Sequence, residues 1–382
     1  MKGIFVMRYL KQNIIEDLQR NKMVFVAGPR QCGKTTLAGH ILLENTKNGV
    51  YLNWDDVEHK EIILHRKWDK FQELVVLDEI HKMENWKNFL KGTYDTQKNI
   101  HKFIVTGSAR LDTYTKSGDS LLGRYHLWRL HPFTLQELTS RGGAQHGDAI
   151  LSQLLQFGGF PEPYLAANDT FARRWRRDRY ERILREDIFD LSGGINIQKM
   201  LLLVSLLRKR VGGEIVYANL ALDLQISPKT VKKWIDYLVL GFVVFQVFPY
   251  SDSLPRAIQK PPKVYFFDSS DADGNEGSQL ENQVACELLR KCDYLTDSTG
   301  YFYQLHYLRD REKREVDFLI TKDSKPITLI EVKTAEQDPA SNLFYFGERL
   351  NVPERYQLSR TCSRKKEING TVCMSVAEYF SS

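Results

Sequence analysis

The chain has 382 residues, 42% of them hydrophobic and 27% charged, with a formal net charge of +6. That length exceeds one ordinary core, so two or three domains are expected, and the composition excludes an intrinsically disordered chain. The mild positive charge permits a nucleic-acid partner without demanding one.

Over the first 140 residues or so, strand-like segments alternate with helical ones: Met23–Ala27, Val50–Asn53, Leu74–Leu77, Phe103–Thr106 and Tyr125–Leu130. Such alternation implies a parallel sheet covered by helices. A helical stretch follows from about 148 to 210, broken at Gly158-Gly159-Phe160-Pro161. Residues 211 to 250 read as a small helical unit ending in an apolar strand pair, and prolines 255, 261 and 262 mark a linker. From Lys263 onward short strands and helices return, which predicts a second α/β domain. The expected domains are thus 1–147, 148–210, 211–255 and 263–382. No apolar run approaches the roughly 18 residues of a membrane span, and Leu201 to Leu207 is among the longest. Five cysteines (Cys32, Cys286, Cys292, Cys362, Cys373) form no CxxC pair, which points to a reducing compartment. With no signal-peptide core at the N-terminus, a cytoplasmic protein with no membrane partner is expected.

Gly28-Pro29-Arg30-Gln31-Cys32-Gly33-Lys34-Thr35 fits GxxxxGK[ST] between an apolar strand and a helix striped by Leu37, Ile41 and Leu42. Glycines let backbone N–H groups approach phosphates, and the helix N-terminus adds positive potential. The loop, with Thr36 behind it, is expected to hold ATP: Lys34 on the β- and γ-phosphates, Thr35 on Mg²⁺. Cys32 reads as a plain loop residue. Leu74-Val75-Val76-Leu77-Asp78-Glu79 is an apolar strand ending in two carboxylates. Asp78 is expected at the Mg²⁺ site and Glu79 as the base that activates water. Adjacent side chains on a strand face opposite ways, so the strand must end there for both to serve one site. His81 reads as structural. At the tip of the next strand, Ser108 is the first candidate for a γ-phosphate or water contact and Thr106 the second.

The order of GPRQCGKTT, LVVLDEIHK, FIVTGSARL, LLGRYHLWRLHPFTLQEL, GGFPE, LEN, EVDF and IEVK resembles AAA family ATPases that carry a C-terminal domain of unknown function. The resemblance covers nearly the whole chain. It implies an AAA-type core with a helical lid and an extra nuclease-like domain, and it allows a homo-oligomer. It would also allow Arg124 to sense nucleotide, in cis or from a neighbouring subunit, with Arg110 as competitor and a structural role as the plain alternative.

Arg173, Arg174, Arg176, Arg177, Arg179, Arg182 and Arg185 crowd one helix whose buried side is marked by Trp175, Ile183 and Ile188. The segment is either a phosphate-tracking or subunit-contacting surface or a solvated helix partly neutralised by Asp178, Glu181, Glu186 and Asp187; the solvated helix is preferred. Ala218 to Leu240 reads as helix, turn, helix, with Ser227 as N-cap and Pro228 at the first position. Val231, Trp234, Ile235, Leu238 and Val239 mark its buried face, and Lys229, Lys232 and Lys233 point away as candidate DNA contacts. The run Phe242–Phe248 is expected to supply wing strands, completing a winged helix.

Glu281 lies on a helix striped by Leu280, Val284 and Leu288. Asp317 follows on one strand, and Glu331 and Lys333 share a face of the next. A hairpin centred on Ser324 sets Asp317 opposite Glu331, an unfavourable pairing unless a cation intervenes. Oxygen ligands of this kind suit Mg²⁺ or Mn²⁺, with Lys333 beside the metal. The quartet resembles the PD-(D/E)xK nuclease superfamily, with Val316 in place of the usual proline. The fold class expected is therefore α/β: an AAA-type P-loop core with helical lid, a winged helix, and a restriction-endonuclease-like α/β domain. The function expected is Mg-dependent ATP hydrolysis coupled to a DNA transaction. The alternative is a nucleotide-state switch controlling protein assembly, with a nuclease-like domain that does not cut.

Overall fold

The five expected strands form, as Met23–Ala27 (β1), Gly49–Asn53 (β2), Leu74–Asp78 (β3), Lys102–Gly107 (β4) and Tyr125–Arg129 (β5). The computed structural model describes residues 6–107, 121–142, 146–188, 196–251 and 260–381. Every residue of β1 and β3 is buried, as continuous apolar runs require when a sheet is covered on both faces. The sheet is parallel throughout, in the order β2-β3-β4-β1-β5. Helices Lys11–Gln19 (α1), Lys34–Asn45 (α2), Val57–His65 (α3) and Trp86–Gln97 (α4) accompany it. Phe25, Trp68, Trp86 and Phe103 belong to its core, and Phe25 stacks on Tyr125 at 4.4 Å between ring centroids. The register pairs Ala27 with Gly107 and Thr106 with Asp78. The C-terminal ends of β1, β4 and β3 therefore finish at one level, where ligands of open parallel sheets bind.

One compact unit ends at Pro132 and the next begins at Phe133. The second unit opens with Leu135–Gly142 (α5), Gly147–Phe157 (α6), Pro161–Ala166 (α7), Asp169–Arg182 (α8) and Ile197–Arg208 (α9). Gly158, at φ 78°, ends α6 where the sequence predicted a break. The helix-turn-helix is present as Tyr217–Leu224 (α10) and Pro228–Leu240 (α11). Ser227 caps α11 by accepting from Thr230 N at 3.1 Å, and Val231, Trp234, Ile235 and Leu238 are buried.

The expected pair of wing strands is corrected to a single strand, Val244–Pro249 (β6). It pairs antiparallel with Lys263–Phe266 (β7) and parallel with Tyr303–Arg309 (β8). The physical reason is that the run Phe242–Phe248 contains no turn residue to reverse it, so it stays one strand, and its partners on both edges lie beyond the proline-rich segment. Of the linker prolines, Pro255 lies outside the described residues. Between β7 and β8 runs the helix Glu276–Thr299 (α12). Glu315–Lys322 (β9), Lys325–Lys333 (β10), Glu354–Ser359 (β11), Lys366–Ile368 (β12) and Thr371–Ser375 (β13) complete a mixed sheet ordered β12-β13-β11-β10-β9-β8-β6-β7. Leu343 and Phe346, on Ser341–Arg349 (α13), pack with Leu319 and Leu329.

Two side chains of α12 hold this unit together. The Asn282 amide mimics a peptide: its Oδ1 accepts from Phe266 N at 2.8 Å and its Nδ2 donates to Phe266 O at 3.0 Å, fixing β7 to the helix. Glu287, 1% exposed, accepts from Leu135 N at 2.8 Å and from Gln283 Nε2 at 3.2 Å, capping α5. Burial pushes its carboxyl up to about 7, against the pull of Arg290. Its folded value lies above the unfolded one, so this stability is full at low pH and is lost as pH rises through about 7. The unfolding midpoint should therefore fall between roughly pH 5 and 8, and Glu287→Gln should flatten that slope because an amide oxygen still accepts from Leu135 N. Thermal unfolding at several pH values, followed by circular dichroism, tests this; a slope identical in the variant would reject it.

Candidate functional site

The loop that leaves β1 is shaped by backbone constraints. Gly28 has φ 154°, and a Cβ there would sit 2.2 Å from the Leu130 carbonyl oxygen, so only glycine fits. Gly33, at φ 98°, starts α2, whose N-terminus no side chain caps. Its first N–H groups thus face the loop without a side-chain acceptor, the arrangement that binds phosphate. Lys34 is buried, and its Nζ donates to Gly28 O at 3.0 Å and Pro29 O at 2.7 Å. Cys32 is fully buried and its carbonyl accepts from Arg8 Nη1 at 2.6 Å, a structural place as the sequence suggested. Thr35 and Thr36 stay exposed at the start of the helix.

Asp78 gathers the elements around it. Thr35 Oγ1 donates to its Oδ2 at 2.8 Å, and Tyr51 OH to the same oxygen at 2.6 Å. Thr106 Oγ1 donates to its Oδ1, and Glu79 N reaches that oxygen at 3.1 Å. β3 ends at Asp78, and Glu79 takes a left-handed conformation at φ 56°, ψ 21°. That reversal removes the strand alternation and brings the Glu79 carboxylate within the influence of both Lys34 and Asp78. Burial raises the Glu79 carboxyl above its usual range, opposed first by Lys82 and then by Lys34. Glu79 Oε2 lies 3.4 Å from Lys82 Nζ and 3.7 Å from His81 Nε2, and Lys82 also pairs with Asp55 at 2.5 Å.

Three expectations change here. Thr106, second choice from sequence, is the strand-tip residue seen on Asp78, while Ser108 and Arg110 lie outside the described residues. Arg124 is not brought to the loop of its own chain. Tyr125 pairs with Met23, so Arg124 stands at the opposite end of a five-residue strand, about 16 Å of rise away, paired with Asp95 at 2.8 and 3.0 Å. Tyr51 was missed. Its signal was positional: Asn53 is in register with Asp78, so the residue two earlier on β2 shares that face.

In the second unit the hairpin register sets Ile330 against Phe318, one step from Asp317 and Glu331, as expected. It arises differently, from a two-residue turn at Asp323 and Ser324 (φ 47° and 66°) followed by a bulge between Pro326 and Thr328. Asp317 N donates to Glu331 Oε2 at 3.3 Å, Val332 N to Asp317 Oδ2 at 2.9 Å, and Lys333 Nζ to Glu331 Oε1 at 2.7 Å. Glu281 joins them from α12, with Tyr265 OH donating to its Oε1 at 2.6 Å. Burial and the Asp317 charge push Glu281 and Glu331 each up to about 7, and burial raises Asp317 as well.

The expected metal site at Glu281, Asp317 and Glu331 meets a cation the sequence reading overlooked. Lys263 Nζ lies 2.6 Å from Glu315 Oε1, 3.4 Å from Glu281 Oε1 and 3.9 Å from Asp317 Oδ1. Burial works against that ammonium, but the Glu281, Asp317 and Glu315 carboxylates outweigh it and hold it protonated. Among the described residues no three His, Cys, Asp or Glu side chains are arranged to hold a metal ion.

Lys229, Lys232 and Lys233 are exposed on α11. The arginine helix α8 is mixed. Arg179 is buried over the Phe160 ring at 4.1 Å and donates to Phe242 O, and Arg176 holds Ser270 Oγ at 2.8 Å, so neither is free for a phosphate. Among the described residues no helix is long and apolar enough to cross a membrane.

Residues 20–139 match the family described as AAA domain, residues 148–271 a domain of unknown function (DUF8612), and residues 276–379 another (DUF4143). The chain is 23% identical over 354 residues to an uncharacterized protein of Methanocaldococcus jannaschii, covering 84% of this chain and 77% of that one. It is 24% identical over 258 residues to an uncharacterized protein of Mycobacterium tuberculosis, covering 66% and 55%. Solved structures it resembles include the Thermotoga maritima RuvB Holliday junction branch migration motor (17% identity, 62% of this chain, 87% of that chain, TM-score 0.33). Another is AMPPCP-bound DnaA from Aquifex aeolicus (15% identity, 60% and 86%, TM-score 0.34). The first unit thus carries a P-loop domain of the AAA type.

Two outcomes are expected at this site. Tyr51→Phe removes one of two hydroxyls on Asp78 Oδ2 and should weaken Mg²⁺-dependent ATP binding by about tenfold or more, roughly 1.5–3 kcal/mol for one hydrogen bond to a charged acceptor. Arg124→Ala should leave the ATP dissociation constant of the monomer unchanged. Fluorescent-nucleotide titration with and without Mg²⁺ checks both; an unchanged Tyr51→Phe or a weakened Arg124→Ala would contradict the geometry.

Proposed function

We propose that the protein hydrolyses ATP with Mg²⁺ and couples that cycle to DNA. The observation that carries the first half is the convergence of Thr35, Tyr51 and Thr106 on Asp78 beside an uncapped helix N-terminus. Lys34 and the N–H groups at the start of α2 would bind the β- and γ-phosphates, and Lys34 would leave its two carbonyl partners to do so. Thr35 and Asp78 would hold Mg²⁺, which when bound would offset the charge of the phosphates. Glu79 would accept the proton of the attacking water at a carboxylate oxygen. Lys82 helps keep Glu79 ionised, since its charge is the leading force lowering a carboxyl that burial raises. Arg124, being remote from its own loop, would act on a nucleotide only from a neighbouring copy.

The DNA half rests on α11: a well-capped second helix of a helix-turn-helix, with its apolar face buried and Lys229, Lys232 and Lys233 outward. The second reading is a nucleotide-state switch for protein assembly, in which the nuclease-like domain does not cut. Lys263 among the acids favours the non-cutting part of it.

Glu79→Gln should keep ATP bound and slow turnover by about two to four orders of magnitude. Lys82→Met should move the acid limb of the turnover profile to higher pH, because the base then loses its proton less readily. Removing the charges of Lys229, Lys232 and Lys233 together should lower the salt dependence of DNA binding by about two to three ions. The measurements are phosphate release across pH, with and without single-stranded, duplex and branched DNA, and binding titrations in salt. ATPase turnover indifferent to every DNA, with an unchanged salt slope in the triple variant, would transfer the helix-turn-helix to a protein partner.

A further inference from the structure

Lysines are seldom buried without a task, because removing an ammonium from water is costly unless carboxylates surround it. Lys263 is 2% exposed. It opens β7 directly after Pro261 and Pro262, and Ile215 N donates to Pro262 O at 2.9 Å. The Asn282 clamp on Phe266 fixes the other end of the strand. The stem is thus held at both sides, and the ammonium ends among Glu281, Glu315 and Asp317 at 3.4, 2.6 and 3.9 Å.

We propose that Lys263 is a built-in counter-ion, and that the acid cluster of the second unit is a latent divalent-cation site closed by the chain itself. Mg²⁺ or Mn²⁺ needs about six oxygens close around it. Here several of the cluster's oxygens are taken by nitrogen and hydroxyl donors. Glu281 Oε1 takes Tyr265 OH and Lys263, Asp317 Oδ2 takes Val332 N, and Glu331 is used by Lys333 and Asp317 N. Glu315, not foreseen as part of the quartet, takes Lys263 at 2.6 Å and Arg309 at 3.2 Å. Taking the ammonium away leaves three carboxylates with one fewer positive charge and an open volume between them, which a dication of oxygen-ligand chemistry would fill. The inference concerns the second unit and does not depend on ATP hydrolysis by the first.

The test is Mn²⁺ titration of the full chain, read by electron paramagnetic resonance of free Mn²⁺ and by calorimetry. An Asp78→Asn background removes the acid of the nucleotide loop from the count. In that background the chain with Lys263 intact should show no Mn²⁺ binding at submillimolar concentration. Lys263→Met should gain one Mn²⁺ at least tenfold tighter, and adding Asp317→Asn should abolish the gain. Lys263→Arg, which keeps the charge, should behave as the parent. Binding by the parent that Asp317→Asn removes, or Mn²⁺-dependent cleavage of DNA by it, would overturn the proposal. So would a folded Lys263→Met that binds no Mn²⁺. If Lys263→Met does not fold, Lys263→Gln replaces it with the same two readings, and the parent titration alone can still overturn the idea.

Discussion

A buried carboxylate must be paid for by something that offsets its charge or its lost hydration, and the protein meets that constraint in two opposite ways. At Asp78 the partners are hydroxyl groups of Thr35, Tyr51 and Thr106, with one backbone N–H. All are neutral. They satisfy the oxygens as acceptors and fix their orientation, yet leave the negative charge in place. Because β1, β4 and β3 end at one level, the same register that aligns these hydroxyls also sets Asp78 beside the phosphate loop.

In the second unit the offset is cationic. Lys263, Lys333 and Arg309 each pair with a carboxylate of the cluster, and burial together with the Asp317 charge pushes Glu281 and Glu331 up to about 7. The two acid sites look alike in sequence, each a carboxylate at or near the end of an apolar strand. They differ in whether the donors around them carry charge.

This also explains what could be read from the sequence and what could not. The strands of the first sheet were legible because fully buried parallel strands are continuous apolar runs, and the loop because GxxxxGK[ST] has one backbone solution. The α11 cap and buried face were legible because capping and helical period act within a few residues. Lys263 and Tyr51 were not, since each acts across a strand order that only the fold supplies: Tyr51 from β2 onto β3, Lys263 from the edge strand β7 onto α12 and β9. The hairpin register was reached by a symmetric guess that ignored the left-handed turn at Asp323 and Ser324, and the bulge after Pro326 restored the same pairing. Arg124 was placed by resemblance alone, which carries no information about which end of β5 it occupies.

The fate of β6 bears on how the helix-turn-helix can work. A free wing would let α11 turn as a separate module. Instead, α11 passes through Gly241 and Phe242 into a strand that lies between β7 and β8. Arg179, buried against Phe160, donates to Phe242 O at 3.1 Å, and Asn282 holds Phe266 on the adjacent strand. The outward lysines of α11 are therefore presented by a helix anchored at its C-terminal end to the sheet that contains the acid cluster. A partner that binds this face meets a preorganised surface and spends little free energy ordering it.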